Sequence, residues 1–204
     1  MAVVTIEDPR VRALTTRIPP HAPGMPMARL VVPGVSDKVT GIWSLWRVGL
    51  QTFEGREQRV LPIFVNPQGL ALGPTARVIW DRLVELVDGL AVLPSIAPAE
   101  ALTTAFDQSR AAAEEQGKAL FNELVQRHRE RIGQERRKMA VAFGARRRAV
   151  ERLGLPQVRD FRLAQLEQEE ADWRRDLAQR EHGLPDLSPL LLIAIVSSAA
   201  EVTP

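Results

Sequence analysis

The feature that most constrains the fold is a long stretch without proline between Pro98 and Pro156. Proline fits the first position of a helix, so Pro98 can open a helix, which we predict to run to Leu153. At 1.5 Å per residue this helix would be roughly 80 Å long, more than a compact domain can accommodate. Gly154 and Pro156 then form a strong stop signal. A second helix is predicted over residues 157–182, and the short link between the two makes them antiparallel.

The two predicted helices carry facing apolar stripes. Ten positions of the first helix follow a strict 4,3 spacing and seven of them are apolar, which is typical of a coiled-coil seam. These positions are Phe121, Val125, His128, Ile132, Glu135, Met139, Ala142, Arg146, Ala149 and Leu153. The stripe on the second helix consists of Leu163, Leu166, Trp173 and Leu177. We therefore expect residues 98–182 to form an antiparallel helical hairpin, a coiled-coil arm that projects from a small body.

Two strands, a turn and a helix are predicted ahead of the long helical stretch. Residues 41–50 and 59–65 are rich in residues that favour strands. Residues 66–69 (Asn-Pro-Gln-Gly) fit a type I turn, with Asn first, Pro second and Gly fourth. Gly73, followed by proline, begins a helix that Gly89 is expected to end.

The two ends of the chain differ in character. Residues 1–38 are rich in proline, which disfavours helices and central strands, and they predict an extended lead-in. Residues 190–196 form a continuous apolar run that suits a buried strand beside the two earlier ones. The predicted fold class is α+β, with a small, mainly antiparallel sheet and one packed helix. Residues 39–97 and 183–204 form this body, and the helical hairpin is an insertion in it.

The residue types that carry catalysis are scarce. The chain has no Cys and three His, which argues against a disulfide scaffold, a thiol nucleophile and a Cys- or His-rich metal site. No P-loop and no Gly-x-Ser-x-Gly elbow is present. His128 is interpreted as a seam position near water, with a ligand or general-base role as the alternative. We expect no enzymatic activity, no cofactor and no metal.

The hydropathy of the chain predicts a soluble protein. The longest strongly apolar run, residues 189–196, is far shorter than the ~20 residues that span a bilayer. The first residues carry charges before any apolar run forms, so no targeting segment is expected. These features favour a cytoplasmic location without membrane contact.

Charge is distributed unevenly along the helical region. Residues 127–152 hold ten Arg or Lys and three Glu, a local net charge of +7, and residues 165–182 hold six acids and three Arg, a net of −3. On a helical projection, six cations fall within about 120° of one another, on the side opposite the apolar seam. We call these six the cationic ridge: Arg127, Arg131, Arg137, Lys138, Arg148 and Arg152.

The cationic ridge predicts an anionic partner. It is ~40 Å long, comparable to one turn of duplex DNA at roughly 34 Å. Cations at this spacing can neutralise several phosphates and give salt-sensitive, sequence-independent binding. The nucleic-acid-binding residues that we predict are Arg127, Arg131, Lys138, Arg148 and Arg152. One alternative is that the cations only pair with the acidic second helix and keep the protein soluble. That helix is expected to pair with arginines at the flanks of the seam, but it cannot easily cover a ridge that points away from it. The other alternative is that the hairpin is a coiled-coil protein–protein adaptor without nucleic-acid contact.

Four stretches of the sequence carry a family resemblance. They begin Gly41-Ile-Trp-Ser-Leu-Trp-Arg-Val, Leu61-Pro-Ile-Phe-Val-Asn-Pro-Gln-Gly, Pro74-Thr-Ala-Arg-Val-Ile-Trp-Asp and Ala142-Phe-Gly-Ala-Arg-Arg-Arg-Ala-Val-Glu-Arg-Leu-Gly. Together they resemble the C-terminal region that follows the motor in large bacterial Swi/Snf-type helicases of superfamily two, including those of DISARM phage-defence clusters. The similarity runs from about residue 8 to residue 196.

The resemblance implies an accessory region that works with a DNA-translocating ATPase in phage defence. Its expected partner is a helicase motor chain or another subunit of the defence system, with DNA as a further candidate. The chain departs from the family because it has no Walker A motif, no acidic Walker B box and no arginine-finger motif. ATP hydrolysis is therefore not implied for this chain.

Overall fold

The computed structural model describes residues 20–85, 91–93 and 97–197. Within these ranges the chain forms five strands and three helices. The strands are β1 (Ala28–Val31), β2 (Gly41–Thr52), β3 (Gly55–Val65), β4 (Ala91–Leu93) and β5 (Gly183–Ile195). The helices are α1 (Gly73–Glu85), α2 (Ala99–Glu151) and α3 (Pro156–Glu181).

The strands form one sheet in the order β3-β2-β5-β1-β4. β1 runs parallel to β5, with Ala28 opposite Ile193, and antiparallel to β4, with Arg29 opposite Leu93. β2 and β3 form a hairpin, which makes them antiparallel. The predicted α+β class, the mainly antiparallel sheet, the strand beside β2 and the helical insertion are confirmed.

The sheet has five strands where the sequence predicted three. One additional strand, β1, lies inside the predicted lead-in. Pro26 and Pro33 flank β1 without interrupting it, so its backbone N–H groups remain free to pair with both neighbours. The backbone N–H of His21 also donates to the Pro189 carbonyl across 2.9 Å. Residues 1–19, the helix end predicted at Gly89 and residues 198–204 of the predicted body lie outside the described residues.

Helices cover both faces of the sheet. On one face α1 contributes Ala76 and Ile79 to a core cluster that includes Trp43. On the other face the first part of α2 contributes Leu102 and Phe106 to a second core cluster with Trp46. Since successive strand residues point to opposite faces, β2 is buried on both sides. Its sequence therefore reads as an almost continuous apolar run.

The indole groups of β2 donate their hydrogen bonds inside the core. Trp43 Nε1 donates to the Ala76 carbonyl across 3.0 Å, and Trp46 Nε1 donates to Ser44 Oγ across 2.9 Å. Trp80 stacks on Trp43, with ring centroids 6.1 Å apart. A buried polar group needs such a partner because leaving it unpaired is costly. These three tryptophans are therefore structural.

The chain divides into two compact units. The first contains most of the sheet, α1 and α2 as far as Phe121. The second contains Leu50–Glu57, where β2 and β3 meet, and Asn122–Pro185. Leu102 and Phe106 are buried in the sheet core, which ties the beginning of α2 to the first unit.

Candidate nucleic-acid interface

In the second unit the later part of α2 pairs with α3 as an antiparallel hairpin. His128 of α2 contacts Arg180 near the end of α3, and Phe143 lies against Trp173 with ring centroids 6.1 Å apart. Residue numbers thus rise along one helix as they fall along the other. Leu155 precedes the first turn of α3, and Pro156 occupies its start, as the sequence predicted.

The seam of this hairpin follows the predicted spacing at first and then shifts by one residue. Ile132 is buried as predicted, but Phe143 is 5% exposed where the strict 4,3 spacing had placed Ala142, which is exposed. A straight helix drifts by about 20° per heptad relative to a 3.5-residue repeat, so after two heptads the residue that faces α3 is the next one along the chain. Arg146, predicted in the seam, is exposed for the same reason. The buried seam residues are Leu124, His128, Ile132, Phe143, Leu166 and Leu177.

Cations at the flanks of the seam pair with acids on α3. Arg136 donates to Glu181 across 3.0 Å and Arg146 donates to Glu169 across 2.7 Å. Arg147 donates to Glu170 across 2.9 Å. Exposed pairs of this kind each contribute about 0–1 kcal/mol. The acidic second helix therefore pairs with flanking cations, as expected, and these pairs favour one register of the hairpin.

A second ion-pair cluster joins the hairpin to the turn between β2 and β3. Arg180 donates to Glu54 across 2.7 Å and to Glu135 across 2.6 Å. Arg131 donates to Glu57 across 2.8 Å and lies 3.2 Å from Glu54. The hydrogen bond from Arg180 is the main reason that the pKa of Glu54 lies below its ordinary value. The bonds to Glu135 and Glu54 raise the pKa of Arg180.

His128 is the polar residue of the seam, and both of its ring nitrogens have partners. It is 2% exposed, so its predicted position near water is wrong. Nε2 donates to the Arg180 carbonyl across 3.0 Å, which satisfies one of the last carbonyl groups of α3. Nδ1 accepts from Arg131 across 3.1 Å. A neutral imidazole with its proton on Nε2 fits both bonds, so His128 acts as a helix cap.

The cationic ridge lies on the opposite side of α2 and is largely without carboxylate partners. Five of its six members are exposed and form no ion pair with any residue that the structure describes. These five, which we call the free ridge, are Arg127, Arg137, Lys138, Arg148 and Arg152.

Arg131 is the exception among the predicted binding residues. Its projected angle lies at the edge of the ridge nearest Glu135, and there it pairs with Glu54 and Glu57. Arg137 was placed in the ridge but was not among the predicted binding residues, although it is as free as the other four. The spacing in the sequence predicts which face of the helix each cation occupies, but it does not predict which carboxylates the cation contacts. Arg131 and Arg137 differ in this second respect, because only Arg131 has carboxylate partners among the described residues.

The side chains between the free cations are short and do not project far from the helix. Val141, Ala142, Ala145 and Ala149 are exposed and short. A Cβ atom at Gly144 would lie 3.7 Å from Nη1 of Arg148, so the guanidinium folds back over a glycine of the same helix. The same relationship holds at Gly133, 3.6 Å from Nη1 of Arg137. A broad anionic surface can therefore approach the helix closely.

The turn of the hairpin exposes apolar side chains that the sequence analysis did not single out. Leu155 is 69% exposed and Phe161 is 68% exposed. Leu153 and Val158 are also exposed. Their exposure is evident only from the structure, and we call these four residues the apolar end.

Among the described residues, no group of three His, Asp or Glu side chains is arranged to hold a metal ion. No helix in the described ranges is both long and apolar enough to cross a membrane.

Comparison of the chain with protein-family models, curated proteins and solved structures finds no match.

Proposed function

We propose that this chain is a non-catalytic accessory module of a DNA-acting helicase, in which the free ridge binds the phosphate backbone of nucleic acid. The resemblance in the sequence supports a cytoplasmic role in phage defence, with a motor chain or another defence subunit as partner. The observation that carries the proposal is the division of cations on α2. Arg136, Arg146 and Arg147 beside the seam have carboxylate partners on α3, whereas the five cations of the free ridge form no ion pair with any described residue.

The free ridge is unfavourable for the isolated helix. Arg148 and Arg152 are four residues apart, and like charges at this spacing destabilise a helix by about 0.2–0.5 kcal/mol. Neither of these two cations forms an ion pair with a described residue. A polyanion would compensate them and would release its condensed counterions, which makes binding favourable at low salt.

The direct test compares two variants that lose the same number of positive charges. The ridge variant carries Arg127→Gln, Lys138→Gln, Arg148→Gln and Arg152→Gln. The control variant carries Arg129→Gln, Arg162→Gln, Arg174→Gln and Arg175→Gln, at exposed positions of the same hairpin outside the ridge. Affinity is measured by fluorescence anisotropy with a labelled duplex of about 20 base pairs, longer than one helical turn.

We expect the ridge variant to bind roughly tenfold more weakly or worse, and the control variant to bind almost as well as the natural chain. An equal loss in both variants would indicate a bulk charge effect and would contradict the proposal. Absence of binding by the natural chain at low salt would also contradict it.

A protein–protein adaptor without nucleic-acid contact is the second candidate, and the apolar end favours it. Exposed large apolar groups in one cluster are typical of interaction surfaces. Leu155→Ser combined with Phe161→Ser should then abolish pull-down of a partner encoded by a neighbouring gene. This pull-down should persist at about 1 M salt, where exposed charges are screened within about 3 Å. Loss of the partner at high salt would contradict the adaptor.

A further inference from the structure

We infer that the free ridge is matched to one turn of double-stranded DNA and that α2 docks along the axis of the duplex, across both grooves. This inference rests on the proposed function and specifies its substrate. It follows from the positions of the free cations along α2, from the face that they share and from the residues between them.

The free ridge consists of three groups along the helix. Arg127 is the first group, Arg137 and Lys138 are the second, and Arg148 and Arg152 are the third. α2 is one uninterrupted helix of 53 residues, so its rise fixes the axial distances. The first two groups are about 16 Å apart and the second and third are about 19 Å apart.

The three groups share one face of the helix. On a projection of 100° per residue they fall within about 100° of one another. Their charges are therefore presented along one side of the helix. The carboxylate on this face between Arg127 and Arg152 is that of Glu130, which accepts a hydrogen bond from Gln126 across 2.9 Å.

A line drawn along the surface of a DNA duplex crosses phosphates at a similar spacing. Each strand crosses it once per turn of about 34–36 Å, and the complementary strand crosses in between. The outer groups, about 35 Å apart from centre to centre, can therefore contact one strand at successive turns. The middle group then contacts the other strand.

Two factors bear on the unequal intervals of about 16 Å and about 19 Å between the cation groups: the unequal widths of the DNA grooves and the reach of the middle group. The major groove is about 12 Å wide and the minor groove about 6 Å, so the middle crossing does not lie halfway between the outer two. The second group is the one with two adjacent long side chains, Arg137 and Lys138, and their flexibility extends its reach. Between the groups Val141 and Ala145 are too short to obstruct the duplex.

A single strand offers no fixed phosphate spacing, so the inference distinguishes the two substrates. The test measures the salt dependence of affinity for DNA hairpins with stems of about 6, 12 and 18 base pairs and for single strands of equal length. The slope of log K against log salt reports the number of phosphates neutralised, about −0.9 for each in duplex DNA. This slope, unlike the affinity itself, does not depend on how many overlapping binding positions a longer stem offers.

We expect the slope to steepen from the shortest stem to the stem of about one turn and then to remain constant. Arg148→Gln combined with Arg152→Gln should reduce the slope by about 1.8 on the longer stems. On the shortest stem, which spans two groups at a time, the same variant should reduce the slope by only about 0.9, because the stem can move from the second and third groups to the first and second. Glu130→Gln should strengthen binding to the longer stems.

The outcomes separate this inference from the proposed function. Equal affinity and equal slopes for single strands and long stems would overturn the duplex match but leave nucleic-acid binding intact. A natural chain that binds none of these probes at low salt would contradict the proposed function itself. A slope that keeps steepening beyond one turn would contradict the three-group geometry.

Discussion

The Arg180 guanidinium donates a 2.7 Å hydrogen bond to Glu54 Oε1, although the two residues are 126 positions apart in sequence. The same group donates to Glu135 on α2 across 2.6 Å. One side chain therefore joins the end of α3, the middle of α2 and the turn between β2 and β3. The turn is held in the second unit by the charges of Arg180 and Glu54, so protonation of the Glu54 carboxylate at low pH should weaken this contact.

The first prediction concerns the acid stability of this contact. Glu54 has a folded-state pKa below its ordinary value near 4.5, mainly because Arg180 hydrogen-bonds to it. Its contribution is therefore fully present above that value and is lost as the pH falls through the lowered folded-state pKa. Glu54→Gln should cost about 1 kcal/mol or less at about pH 6 and less than that at about pH 3, below the ordinary pKa, where part of the contribution has been lost.

Urea unfolding of both proteins at each pH measures this difference. Glu123→Gln is the matched control, since Glu123 is exposed and forms no ion pair among the described residues. Its effect should be small at both pH values. A cost of Glu54→Gln that stays the same at both pH values would contradict the account.

The second prediction concerns His128. His128→Phe keeps an aromatic ring in the seam but removes the hydrogen bonds to the Arg180 carbonyl and to Arg131. The partly buried carbonyl then loses its donor, and the free energy of unfolding should fall by about 1–3 kcal/mol. His182→Phe makes the same replacement at an exposed site and should change stability by about 0.5 kcal/mol or less. Thermal unfolding measures the stability of both variants. An equal loss of stability in the two would contradict the role of His128 as a helix cap.

The third prediction concerns the entry into β2. Gly41 has φ of 151°, and a Cβ atom there would lie 2.3 Å from the Val65 carbonyl oxygen. Gly41→Ala should therefore destabilise the protein by about 2–4 kcal/mol, because both the backbone conformation and the contact become strained. Gly154→Ala is the control, since no atom lies within 4 Å of its Cβ position. A mild effect at Gly41 in urea unfolding would contradict the close contact.

The fourth prediction tests the shift of the seam. Phe143→Ala should lower the free energy of unfolding by about 3–5 kcal/mol because it leaves a cavity against Trp173. Ala142→Gln should change it by about 0.5 kcal/mol or less, since Ala142 is exposed. A strict heptad repeat predicts the opposite order. Chemical denaturation of the two variants therefore decides between the two registers.

Features specified by neighbouring residues were predictable from the sequence. Gly154 and Pro156 end one helix and begin the next, and the observed ends at Glu151 and Pro156 lie close to those predicted. The turn at residues 66–69 is also local, with the Gly69 N–H donating to the Asn66 carbonyl across 2.9 Å. Signals of this kind depend only on the backbone preferences of a few neighbouring residues, and these preferences can be read from the residue types.

Features that depend on distant partners were not predictable. β1 is a short apolar run whose place in the sheet comes from pairing with β5, where Ala28 lies opposite Ile193. Arg131 pairs with Glu57, 74 positions away, and no spacing rule indicates that contact. The ridge could be assigned to a helix face from periodicity, but the free cations could be identified only after their possible acidic partners had been located.

The most direct test of the account is the salt dependence of DNA affinity for the natural chain and the ridge variant, on a duplex of about 20 base pairs. With five free cations in contact, the slope of log K against log salt should be about −4 to −5 for the natural chain. The ridge variant, which lacks four of them, should give a slope near −1. Equal slopes for the two proteins would contradict the claim that these arginines and this lysine bind phosphate.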